Sequence, residues 1–382
     1  MRFPEFTEEW KEERLSKIAE LSKGVGISKE QLSEDGEPCI LYGELYTKYK
    51  SEIIHKVISK TNIESSNLKR SKRNDVIIPC SGETAIDIAV ARCVPFDNIL
   101  LGGDLNIIRL HKDDGAFMAY QLNGKRKIDI AKLAQGVSVV HLYGENIKAI
   151  KTYNPCLQEQ QKIVKLLSML DERIEVQNKI IEDLKKLKSA IIHRCYSSQI
   201  NMVSLSELIK QCSERNHSGM DLQVLSVSNK HGFIAQSEQF EDREVASDDT
   251  SNYKVVKKDM FAYNPARINV GSIALYEMDN NGIVSPMYVC FTTKSKLSPN
   301  YLKHYFTSQA FRHEMHKRLE GSVRLCLTFE GLCNIEIPLP SIDQQENIGK
   351  YLSKIDNKIS LEENVLSQYQ MQRSYLLSEM FI

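Results

Sequence analysis

Two stretches of this chain place apolar residues at alternating steps of four and three. In the first, Ile163, Leu167, Leu170, Ile174, Gln177, Ile181, Leu184, Lys188 and Ile191 mark the row. In the second, Ile348, Leu352, Ile355, Ile359, Glu362, Leu366, Tyr369, Arg373 and Leu376 do. This is the a/d pattern of a coiled coil, and it predicts a helix over 158–198 and another over 342–382. At roughly 1.5 Å per residue each helix would run on the order of 50–55 Å. Both rows are interrupted by a polar residue at the same place (Gln177, Glu362) and later by a cation (Lys188, Arg373). Matching interruptions imply that the helices pack against each other in one register; the competing reading buries each helix against its own neighbouring domain. Pro155 and Pro340 stand just ahead of the helix starts, and Asp343 is a candidate cap for the second.

The stretches between are of another kind. Residues 1–157 and 199–341 mix short β-like runs with turns. Asn74-Asp75-Val76-Ile77 in the first corresponds to Lys258-Asp259-Met260-Phe261 in the second, and each segment opens on an amphipathic stretch, Leu15–Ile18 and Leu205–Leu208. The two halves are copies of one unit. Asn154–Ile163 aligns with Leu339–Ile348 at a period of 185 residues, without a gap from Gly136/Gly321 to Ser197/Ile382. Four segments follow: a head over 1–157, a helix over 158–198, a second head over 199–341 and a second helix over 342–382. Two heads on stiff helices suggest a ruler, and a bipartite site on duplex DNA is the natural object for one.

Composition changes this picture only in places. The 382 residues are 42% hydrophobic and 26% charged, ordinary for a globular protein. Apolar runs fall short of a bilayer span, and the opening Met1-Arg2-Phe3-Pro4-Glu5 lacks a signal-peptide core. The nine cysteines are odd in number and form no CxxC pair, which points away from a disulfide scaffold or zinc ribbon and towards a reducing cytoplasm. Lys and Arg number 50, as do Asp and Glu, so net charge gives nucleic-acid binding no support. Local clusters, or partner subunits, would have to supply positive charge.

Several strings now acquire meaning together. They are Ile337-Pro338-Leu339-Pro340 with Gln344-Gln345-Glu346, Gly321-Ser322-Val323-Arg324 leading to Leu327-Thr328-Phe329-Glu330, and Gln160-Gln161-Lys162-Ile163 with the row from Leu167 to Ile174. Weaker matches are Lys23–Lys29, Tyr42–Tyr49 and Phe3–Phe6. In their order and repetition they resemble the specificity subunits of type I restriction-modification systems, over essentially the whole chain. One departure is Lys151-Thr152-Tyr153-Asn154-Pro155, where the second copy has the more typical Ile-Pro-Leu-Pro. The resemblance implies an α+β chain of two similar target-recognition domains, separated by two long antiparallel coiled-coil helices with pseudo-two-fold symmetry. It implies a non-catalytic DNA-binding subunit in the cytoplasm that reads one half-site per domain, with the helices setting the gap. Its partners would be double-stranded DNA, two modification (methyltransferase) subunits directing adenine methylation, and restriction (translocase/endonuclease) subunits. S-adenosylmethionine, ATP and Mg would sit on those partners, with no cofactor on this chain.

Several clusters suit contact with DNA. Lys69, Arg70, Lys72 and Arg73 form the densest basic run of the first head and suit phosphate contact. Tyr46, Lys48, Tyr49 and Lys50 interleave aromatics with cations. Lys125 and Arg126 follow Asn123-Gly124, a turn signal that would place them on a hairpin tip. In the second head, Asn264-Pro265-Ala266-Arg267 lacks the second proline and the aromatic of an amino-methyltransferase motif. A turn presenting Arg267 and Asn269 to base edges fits better, since Arg bonds guanine and Asn bonds adenine bidentately. Arg324 is a further candidate, although its first-copy counterpart is Val139. His313 and His316 are spaced for one helix face rather than for a metal site. A coiled-coil adaptor without DNA specificity is the alternative, and neutral net charge is its best support.

Overall fold

The computed structural model describes residues 2–63, 67–197, 201–217, 221–229, 231–236, 249–321 and 324–381. Ser322 and Val323 of the glycine motif, and Ile382 at the end of the repeat, lie outside the described residues. The chain divides into two compact units, one of Met1–Asn178 with Asn364–Ile382 and one of Lys179–Glu363. Each unit therefore takes one head, half of the first long helix (Leu157–Tyr196) and half of the second (Ile342–Glu379).

Both heads are built to one plan. In unit 1 an antiparallel sheet runs in the order Ala19–Lys23, Leu105–Leu110, Asp75–Pro79, Arg92–Val94. In unit 2 the matching order is Ile209–Cys212, Val289–Thr293, Met260–Tyr263, Ile273–Leu275. A second sheet accompanies each. In unit 1 it is Leu32–Ser33, Ser59–Thr61, Glu37–Ile40, Leu100–Leu101, Lys69–Arg70, and in unit 2 Gly232–Ala235, Gln223–Ser228, Gly282–Val284, Lys254–Val256. One parallel pair sits at the same place in both, Glu37–Ile40 on Leu100–Leu101 and Gln223–Ser228 on Gly282–Val284.

The unbroken apolar runs have a physical cause. Alternate residues of a strand face opposite ways, and here each face meets its own core. Val76 and Ile78 join a cluster with Leu15, Ile108 and Met118, while Ile77 joins Ile40, Leu101 and Leu105. Phe261 and Tyr263 face Phe291 and Tyr301, while Met260 and Ala262 face Val227 and Tyr276.

The helical seams behave as the spacing predicts, and the two readings of them prove compatible. In unit 1, Ile163, Leu167 and Leu170 of the first helix share a core with Leu376, Met380 and Phe381 of the second, and with the head's Phe117 and Tyr120. In unit 2, Ile192 and Tyr196 share one with Leu352, Tyr301 and Tyr305. Ion pairs set the direction: Lys185 meets Glu363 at 2.7 Å and Lys188 meets Asp356 at 2.5 Å, so the helices run antiparallel. Ile174, Ile181, Leu184, Ile355, Ile359, Leu366 and Tyr369 are buried or half-buried.

The repeated glutamine explains the lead-in to both helices. Gln160 accepts from the Asp114 backbone N–H at 2.8 Å and donates to Asp113 and to the Pro155 carbonyl. Gln345 accepts from the Ser298 N–H at 2.9 Å and donates to the carbonyls of Lys296 and Pro340. Asp114 and Ser298 are the N-caps of the helices Gly115–Asn123 and Pro299–Tyr305, so each glutamine ties a long helix to a helix of its head.

Two local expectations are corrected. Ser341, not Asp343, caps the second helix, through reciprocal bonds between its side chain and the Gln344 N–H and between the Gln344 side chain and its own N–H. The segment around Asn123-Gly124 is a turn between the helices Gly115–Asn123 and Lys127–Ala131, not a hairpin tip. Its flanks carry apolar residues in blocks rather than in strand alternation, so the glycine ends a helix instead.

Candidate nucleic-acid interface

Candidate residues separate once their partners are visible. In unit 1 the turn after Lys69–Arg70 is held from below. The Ser71 hydroxyl donates to Phe96 O and accepts from Ile99 N–H, Lys72 N–H donates to Asp75, and Arg73 N–H donates to Asp97. Asn74 takes a left-handed backbone (φ +79°) and its side chain bonds Asp113 O and Gly115 N–H. On this rigid base the side chains of Lys72 and Arg73 are exposed and form no ion pair among the described residues. Arg70 differs, since both its terminal nitrogens engage Glu37. That pairing raises the guanidinium pKa and lowers the carboxylate's. Lys69 is half-buried in the edge strand.

The Tyr46–Lys50 segment splits likewise. Tyr49 is 7% exposed, packs with Ile40 and Ile77, and accepts Ile58 N–H on its hydroxyl. Burial pushes that hydroxyl's pKa up to about 12. It is a core residue, which corrects its assignment as a contact. Lys48 is held by Glu44 at 2.7 Å and by Ser59, and so is largely neutralised. Tyr46 and Lys50 remain exposed. Lys125 is exposed on the interhelical turn, whereas Arg126 lies 4.9 Å from the Tyr153 ring centroid and pairs with Asp129 at 3.1 Å. Arg126 is thus built into the protein surface.

In unit 2 the loop after Met260–Tyr263 is clamped at both ends. Asn264 bonds Ser272 through its backbone and Ala266 N–H through its side chain, and the Ser272 hydroxyl donates to Val227 O. Arg267 and Asn269 project from it, exposed and without ion pairs among the described residues. Asn269, Val270 and Gly271 form one wall of a cleft of about 740 Å³ that also receives Tyr276, Lys303 and Arg312. Arg324 is exposed as well.

The glycine motif proves to be a duplicated hairpin. Gln135 and His141 exchange backbone hydrogen bonds, as do Glu320 and Cys326, each pair at the 185-residue offset. Gly136 (φ +121°) and Gly321 (φ +114°) make the turn, and a Cβ there would stand 2.1 Å from Val139 O and 2.4 Å from Arg324 O. Beside the first hairpin Tyr143 is exposed, with His141 stacked at 6.2 Å and the Lys23 ammonium 5.9 Å from its ring. This aromatic–cation group was missed in the sequence because Lys23 lies far from His141 and Tyr143 along the chain. Among the described residues no three His, Cys, Asp or Glu side chains converge as a metal site would require.

Comparison with known proteins adds a family. The model of the type I restriction modification DNA specificity domain matches residues 7–186 and 233–369. The chain is 24% identical to the type I restriction enzyme MjaVIII specificity subunit of Methanocaldococcus jannaschii, over 97% of this chain and 92% of that one. In fold it is similar to the type I restriction-modification S subunit from M. genitalium (TM-score 0.65, 18% identity, 98% and 96% of the two chains covered). It is similar also to a chain from a structural study of type I R-M complex assembly and conformational transition (TM-score 0.54, 15% identity, 97% of each chain covered).

Proposed function

The chain belongs to the type I restriction-modification DNA specificity family, and from that premise we propose how its parts divide the work. It is a specificity subunit with two recognition domains that fit a bipartite DNA site. Each unit reads one half-site, and the helices set the gap between the halves. The carrying observation is one strand order under different loops. After the third strand of the sheet, unit 1 has Cys80-Ser81-Gly82-Glu83-Thr84 where unit 2 has Asn264-Pro265-Ala266-Arg267. One four-stranded order under loops that differ at their exposed residues, Glu83 and Thr84 against Arg267, supports two different half-sites.

Assembly with DNA and with the other subunits of a restriction-modification system goes with the family. The finer arrangement is a proposal: two modification subunits dock, one on each unit, and bring S-adenosylmethionine. Restriction subunits bring ATP and Mg, this chain performs no chemistry itself, and the complex works in the cytoplasm. Among the described residues no helix is long and apolar enough to cross a membrane. Docking of two identical partners is supported by apolar residues exposed at repeated positions of the two helices. Leu166 and Val176 are exposed in unit 1, and Tyr351 and Leu361 are exposed at the 185-residue offset in unit 2. Replacing Leu166 and Val176 by glutamate is expected to remove one of two modification subunits, read as a mass loss in native mass spectrometry. Retention of both would contradict the assignment.

The decisive experiment maps methylated adenines in a host carrying this chain and its partner subunits. Exchanging residues 1–155 for another first head should change one half of the methylated sequence and leave the other. Adding residues to the first helix should widen the gap, and an unchanged gap would sink the ruler. Alanine at Lys72 and Arg73 should weaken binding on every sequence and reduce the salt slope by about 2. Arg267→Ala should instead cost about 1–3 kcal/mol at one base position of the second half-site, read in competition binding with single-base variants.

A further inference from the structure

The interrupted seams hide a pairing that the 185-residue period exposes. Arg373 of the second helix donates from Nε to Asp171 of the first at 2.5 Å, and Lys188 of the first pairs with Asp356 of the second at 2.5 Å. Asp171 and Asp356 are equivalent positions, as are Lys188 and Arg373. The duplicated bridge is nevertheless unequal. In unit 1 Arg373 also binds Glu52 of the head, the Tyr120 hydroxyl donates to Asp171 at 2.6 Å, and Asn123 donates to Glu52 at 3.2 Å. Glu52 and Tyr120 are 4% and 0% exposed. In unit 2 the Asp356 carboxylate is more than a third exposed, and His304 stands in the place of Tyr120 at 3.8 Å.

An apolar seam of Leu and Ile discriminates weakly against sliding by one heptad, whereas a single buried polar pair discriminates strongly. A seven-residue slide would bring Val164 or Asn178 opposite Arg373, neither of which can neutralise it. The same slide would bring Gly349 or Glu363 opposite Lys188, and Glu363 is an adequate substitute. We infer that the Asp171–Arg373–Glu52 cluster locks the register of the helix pair and thereby determines the tolerated spacing between the two half-sites. The inference rests on the bipartite reading above. One heptad is about 10.5 Å of helix and about three base pairs of duplex, so a failed lock shows itself at spacings displaced by about that much.

The test uses the full chain assembled with its modification subunits. Substrates are duplexes carrying the half-sites found by methylome mapping, at the native spacing and at spacings changed by about three base pairs. Asp171→Asn, and separately Arg373→Lys, which keeps the charge but loses the two-carboxylate fork, should raise off-spacing methylation relative to native by about tenfold. Asp356→Asn should raise it much less. An unchanged ratio in both unit 1 variants overturns the lock, as does equal relaxation by Asp356→Asn. If one unit 1 variant fails to assemble, the other decides. A wild-type complex indifferent to spacing overturns the bipartite reading itself, before any variant is compared.

Discussion

Replacing Arg373 by methionine is expected to destabilise unit 1 by about 3–5 kcal/mol, because two carboxylates would be left in the protein without their cation. Asp171 and Glu52 converge on that one guanidinium, and its side chain is itself largely covered. Another cation close by, Arg92, is 5% exposed and donates to the carbonyls of Tyr49 and Ala91 rather than to either acid among the described residues. The single tryptophan makes the measurement direct. Trp10 packs edge-on against Phe117 at 5.8 Å and Phe381 at 6.4 Å, in the same core as the helix ends, so its fluorescence in a urea titration follows unit 1. Lys188→Met should cost under about 1 kcal/mol, since its partner is solvated. A loss below about 1 kcal/mol for Arg373→Met would contradict the argument. Neutralising all three groups together, with Glu52→Gln, Asp171→Leu and Arg373→Met, should recover much of the loss, because desolvation is then no longer opposed by missing charge.

The second large effect falls on the duplicated glutamine. Gln345→Ala should cost about 2–4 kcal/mol, since the Ser298 N–H and the carbonyls of Lys296 and Pro340 lose their partner in a buried place. Gln160→Ala should do the same in unit 1 through Asp114, Asp113 and Pro155. Glutamate is an instructive control. Gln345→Glu could still accept from Ser298 but could not donate to either carbonyl, so it should be no better than alanine. Hydrogen exchange of the helix Pro299–Tyr305 reads the outcome, because the glutamine ties that helix to the start of the second long helix. Protection unchanged in Gln345→Ala would show the tie to be dispensable.

The failures of sequence reading share a cause. Tyr49 and Lys50 are neighbours in a run that looks uniformly suited to a surface, yet one is core and the other is exposed. Arg70 and Lys72 are two residues apart, yet the charged group of Arg70 meets an acid, Glu37, on another strand of the same sheet, while that of Lys72 forms no ion pair among the described residues. Asn123-Gly124 signals a turn correctly but not what it connects. By contrast the helical seams were legible, because a repeated spacing is written locally.

What the sequence determined alone was therefore periodic: two helices with matching interruptions, and a 185-residue repeat that is gapless in the helices and their lead-in. Only the tertiary structure decided which charges remain free, which strand neighbours which, and that Arg373 answers to Glu52, 321 residues earlier. The physical reason is one of range. Side-chain periodicity follows from the backbone's own geometry and needs no partner to be read. The state of a charge depends on what lies within a few ångströms of it, and in this fold those neighbours come from the far end of the chain.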